Sequence, residues 1–168
     1  MNALTSMMLL PLLGSLLIAV IPTDQVLRIK QAALGTTLLV AISGVMAWFK
    51  FDSANTSFQF VQIAQWIPSF GINYAVGVDG LSLVLILMSV LLAPIVVLAG
   101  WNGSEGGRWS AKVFYILILV LETMMIGVFA ATDVFLFYVI FEAMLIPVYF
   151  LIGGYGSGER AAAAVKFL

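Results

Sequence analysis

The chain has no cysteine and no histidine, and charged residues make up only 9% of its 168 positions. Each absence removes a class of function. Without cysteine there is no disulfide framework, no cysteine-ligated zinc and no iron–sulfur cluster. Without histidine there is no imidazole to ligate haem or a metal, and none to carry a proton. Any proton chemistry must use carboxylates, lysines, tyrosines or water. A net charge of −1, with no basic cluster, excludes nucleic acid as a partner.

Apolar residues fill the space. They make up 63% of the chain, and the mean hydropathy is +1.16. A soluble domain of this length has too little interior to hide so much apolar surface. The chain therefore reads as an integral membrane protein. No Lys or Arg precedes the first apolar run and the first cation is Arg28, so a cleaved signal peptide is not expected.

Five apolar segments have spanning length and a sixth begins. They are expected at about 4–21, 32–49, 81–101, 113–131 and 134–152, with an incomplete one at 160–168. The fold class is all-α, a polytopic transmembrane bundle forming one membrane domain over 1–168. The sixth segment falls short of the roughly twenty residues a span requires. It also ends in the apolar pair Phe167-Leu168, so the chain reads as the N-terminal part of a longer polypeptide.

Connections follow from local chemistry. The long linker between Lys50 and Gly80 is expected to form a β-hairpin at about 57–78. Its arms, Phe58–Trp66 and Ile72–Val78, flank the turn signal Pro68-Ser69-Phe70-Gly71. Such a hairpin would clasp neighbouring helices on the outer surface. Asp79 and Asp133 are placed to cap the third and fifth spans. The GGYGSG run at 153–158 lacks a following Gly-Lys-Ser/Thr, so it reads as a flexible inner loop rather than a phosphate cradle. Trp48, Trp66, Trp101, Trp109 and Tyr155 fit interfacial belts.

Cations set the orientation. The linkers at 22–31, 102–112 and 153–160 carry Arg28, Lys30, Arg108, Lys112 and Arg160, whereas the opposite side has only Lys50. The positive-inside rule then puts those three linkers in the cytoplasm and the N-terminus outside, in the cell membrane.

Glu142 stands near the middle of Val134–Ile152, a run with no other charge. A charge at that depth costs at least ~2.5–3.5 kcal/mol and marks a protein interior or a water path, with proton relays a leading use. Pro147 adds to this. Lacking an N–H, it frees the Ala143 carbonyl, which then needs another donor such as water.

Glu122 and Glu142 each lie ten residues from Thr132. In an antiparallel pair with so short a turn they share one depth, ~15 Å from the turn. Whether they face each other depends on helix rotation, which the sequence leaves open; within ~6 Å they would titrate as a coupled pair. Lys166 is the cation of this chain best placed to reach Glu142, although a lysine there can equally snorkel to the interface.

Three stretches carry a resemblance. VGVDGLSLVLILMSVLL (76–92), GVFAATDVFLFYVIFEAMLIPVYFLIG (127–153) and AAVKFL (163–168) resemble the subunit M family of antiporter-like membrane subunits in NADH-quinone oxidoreductase, respiratory complex I. The resemblance implies a membrane-arm subunit of inverted helical repeats, taking part in proton translocation coupled to electron transfer from NADH to quinone. Glu142 then matches the family's key glutamate, and Lys166 a position often lysine. It implies a subunit of an enzyme complex whose partners are other membrane-arm subunits and the bilayer. No redox cofactor and no direct NADH binding would reside in this chain. Two alternatives stay open. Multisubunit cation/proton antiporters and membrane-bound hydrogenases share the glutamate motif, and a non-pumping membrane scaffold would tolerate glutamine at 142.

Overall fold

A long apolar run in a bilayer can satisfy its backbone amides only within itself, and helices are the result. The computed structural model describes residues 3–103 and 107–167. It contains α1 (Ala3–Val20), α2 (Val26–Lys50), β1 (Gln59–Ile67), β2 (Ile72–Val78), α3 (Gly80–Ala99), α4 (Ala111–Ala130), α5 (Val134–Tyr155) and the short α6 (Arg160–Phe167). Five of the helices are long and apolar enough to cross a membrane. The expected bundle with its hairpin is what forms. Leu168 and residues 104–106 of the linker at 102–112 lie outside the described residues.

Helix starts are set by their caps. The Asp79 carboxylate accepts from the Ser82 backbone N–H at 2.8 Å, and the Ser82 hydroxyl accepts from the Asp79 N–H at 2.9 Å, a reciprocal box at the start of α3. The Ser82 backbone N–H, followed by its hydroxyl, holds the Asp79 carboxyl below its ordinary 3.8. Asp133 caps α5 by accepting from the Leu136 N–H at 3.0 Å.

Two boundaries differ from expectation, each for a physical reason. α2 begins at Val26 rather than near Ala32, so Arg28 and Lys30 belong to the helix and not to the linker. Charge ends a hydropathy run without ending a helix. Lys30 is only 6% exposed and its ammonium lies 5.7 Å from the centre of the Trp101 ring. At the other end of the bundle's sequence, α5 runs on through Gly153 and Gly154 to Tyr155, so half of the expected GGYGSG loop is helical. Gly154 backs directly onto the Trp109 indole, with no room for a Cβ. That contact offsets glycine's poor helix propensity.

The bundle is organised around α4, which packs against α1, α2, α3 and α5. Half of its hydrophobic stretch is buried, against 11% for α5. α5 therefore lies at the edge, with one side open.

The hairpin lies across one end. β1 and β2 pair antiparallel, and Gly71 closes the turn with φ +66°, a left-handed conformation suited to glycine. Val76 bridges to Ala131, and the Thr132 N–H donates to the Ala75 carbonyl at 2.9 Å. On the α1 side, the Thr5 hydroxyl donates to the Gln62 side chain at 2.8 Å and lies 3.1 Å from the Tyr74 hydroxyl. Ala75, Val76, Gly77 and Val78 are all buried, so the end of the second arm is covered on both faces rather than alternating.

The three basic linkers gather at the opposite end. Lys112 donates to the Ala19 and Ile21 carbonyls at 2.7 and 2.8 Å. The Arg108 N–H donates to the Gly154 carbonyl at 2.7 Å, and the Tyr155 hydroxyl to the Ser110 carbonyl at 2.7 Å. Arg28, Lys30, Arg108, Lys112 and Arg160 thus share one pole, and Lys50 stands at the other.

Candidate proton-carrying site

Two apolar clusters fill the bundle, one toward each end. The first includes Met7, Val40, Ile86, Val90 and Ile126, and the second Ile18, Ala33, Val97 and Leu119. Polar side chains are buried among them: Ser15 on α1, Thr37 on α2, Ser89 on α3, and Glu122 with Thr123 on α4. Each hydroxyl donates to a carbonyl of its own helix: Ser15 to Leu12 at 2.7 Å, Thr37 to Leu34 at 3.0 Å, Ser89 to Leu85 at 2.9 Å and Thr123 to Leu119 at 3.1 Å. Their oxygens keep lone pairs but have no hydrogen left to give.

Glu122 is 3% exposed, and neither carboxyl oxygen has a hydrogen-bond partner among the described residues. It faces α3, at the floor of a cleft of about 170 Å³ lined by Ser89, Ala93 and Val96 from α3 and Ile118 and Met125 from α4. Glu142 lies elsewhere. It is exposed on α5, with the exposed Tyr138 and Ile146 one helical turn to either side. The two carboxyls share the α4–α5 pair but point to different faces, and no hydrogen bond joins them.

Lys166 is exposed on α6 and forms no ion pair with Glu142 among the described residues. Asp133 serves as a cap, as expected, and also lies 3.5 Å from the Asn73 N–H of the hairpin. The buried hydroxyls were missed from sequence. Single Ser and Thr residues inside apolar runs were their signal, and only the packing shows that they turn inward.

Comparison with known proteins decides the family. The family described as "NADH-ubiquinone oxidoreductase chain 4, amino terminus" matches residues 5–128. The chain belongs to that family.

Members of the chain 4 family from distant organisms align along nearly all of it. NADH-ubiquinone oxidoreductase chain 4 of Arabidopsis thaliana is 37% identical over 161 residues, covering 96% of this chain and 32% of that protein. NADH-quinone oxidoreductase subunit M of Mycobacterium tuberculosis is 37% identical over 192 residues, covering 98% and 35%. NAD(P)H-quinone oxidoreductase chain 4 1 of Picosynechococcus is 39% identical over 166 residues, covering 98% and 30%. The chain spans about a third of the length of these relatives. The family match itself takes in Glu122 and stops short of Glu142, whereas an alignment over 98% of the chain includes both.

Proposed function

We propose that this chain works in the membrane arm of NADH:quinone oxidoreductase, taking part in proton translocation coupled to electron transfer from NADH to quinone. Its family membership, combined with a carboxylate halfway along a spanning helix, carries this reading. Glu142 is the proton carrier. Lipid cannot solvate a carboxylate at that depth, so the open face of α5 is a surface for further protein, and a cation brought to it there would drive proton release. Lys166, one helix away, is a candidate for that cation. The chain itself holds no redox centre and binds no NADH, and it acts with other membrane-arm subunits.

Orientation follows from the pole where five cations gather. That pole is cytoplasmic, the N-terminus and the hairpin are external, and the membrane is the cell membrane. A tag on the native protein tests the assembly. It should recover NADH:quinone reductase activity from gently solubilised membranes. Recovery with cation/proton antiporter subunits and without NADH oxidation would overturn the reading.

A further inference from the structure

We propose that Glu122 is a second proton-holding site, served by water in the cleft between α3 and α4 and separate from the face on which Glu142 lies. Its purpose rests on the proposed proton-translocating function; its place rests on the geometry of the cleft.

A carboxyl buried in a membrane bundle must be neutral or supplied with donors. Among the described residues its surroundings offer no cation. α1 and α3 carry no ionisable side chain between them, and those of α2 (Arg28, Lys30 and Lys50) stand in its first two turns or at its last residue. On α4 itself Lys112 is engaged with the end of α1, and Tyr115 lies near the basic pole with its hydroxyl toward the Gly100 carbonyl at 3.4 Å. On α5, Glu142 turns to the open face and Tyr138 is exposed. The nearest polar side chain lining the cleft is Ser89, whose hydrogen is committed to Leu85, leaving an acceptor. An acceptor without a donor matches a carboxylic acid, which can donate, and not a carboxylate, which cannot.

Space completes the site. A water occupies about 10–15 Å³ of such room, so the 170 Å³ cleft beside Glu122 and Ser89 accommodates several waters, which a turn of the Glu122 side chain would bring to its covered oxygens. The cleft opens past Leu92 and Val96, which are 48% and 41% exposed, to the flank of the bundle between α3 and α4. Where a further subunit covers that flank and carries water to it, a proton arriving through this water adds to one carboxyl oxygen of Glu122, and departs from it to water by the same way. It need not pass Glu142.

Infrared difference spectra of the whole complex in its membrane, taken between two pH values, test the site. A protonated-acid C=O stretch is expected that Glu122→Gln removes, that moves when H₂O is exchanged for D₂O, and that shifts in frequency in Ser89→Ala. Glu142→Gln should leave this band in place whatever it does to pumping, so the cleft and the function assigned to Glu142 fail separately. A wild-type spectrum in Glu122→Gln would overturn the proposal, as would a band that D₂O does not move, the mark of a dry structural acid. If Glu122→Gln does not assemble, Ser89→Ala carries the test alone: an unshifted band sinks the water-served site.

Discussion

The Lys112 ammonium on α4 donates to the Ile21 carbonyl at 2.8 Å and to the Ala19 carbonyl at 2.7 Å, closing the last turn of α1. A helix leaves its final carbonyls without intrahelical partners, and its C-terminus favours positive charge. One lysine therefore answers both demands and ties two neighbouring helices at the basic pole. Lys112→Met keeps the stem and removes the donors, with an expected loss of about 1–2 kcal/mol. Thermal inactivation of the complex should come earlier in this variant. Lys112→Arg should recover most of the difference.

Gly154→Ala should disturb the same pole. Its Cβ would meet the Trp109 ring, a rigid body held by edge contacts with Phe150 and Tyr155. Overpacking of this kind costs about 1–3 kcal/mol. Gly153→Ala is the control, since its Cβ would lie 3.6 Å from the Ala164 Cβ, an ordinary contact. Assembly yield should fall for the first variant and hold for the second.

The bundle was legible in the sequence because run length alone reports a spanning helix. Asp79 and Asp133 were legible as caps because an acidic residue immediately before an apolar run has little else to do. Helix rotation was not legible. Glu122 and Glu142 have equal counts from Thr132, and nothing in that symmetry says that one turns to α3 and the other to an open face. The start of α2 was hidden by Arg28 and Lys30, since a hydropathy profile cannot see a lysine covered by Trp101. Gly154 looked like loop because its partner, Trp109, lies 45 residues away in sequence.

Asp79 gives a pH dependence with a definite sign. Its carboxyl is held below 3.8 in the folded chain, so the stability it adds is fully present at neutral pH and disappears as acid protonates it, at pH values below about 4. Asp79→Ala should cost about 1 kcal/mol at pH 7, less whatever solvent screens at this exposed site. The gap to wild type should narrow at pH 3.5. Asp79→Asn, which still caps, should stay close to wild type at both.

Topology can be read with cysteine, because the native chain has none to interfere. Arg108 and Ser57 are both exposed and sit at opposite poles. Cysteine at 57 should react with an impermeant thiol reagent in intact cells, and cysteine at 108 only after the membrane is opened or inverted. External labelling at 108 would reverse the proposed orientation.

The central claim is that the Glu142 carboxyl carries a proton, and the most direct measurement is the number of protons moved per electron in vesicles holding the intact complex. Glu142→Gln keeps size and hydrogen-bonding capacity and removes titration. It should abolish or strongly reduce pumping, and lower quinone reduction where the two are tightly coupled. Glu122→Gln should reduce it less, and Asp133→Asn, which keeps a capping side chain, least of all. A Glu142→Gln complex that assembles and pumps at the wild-type ratio would contradict the account.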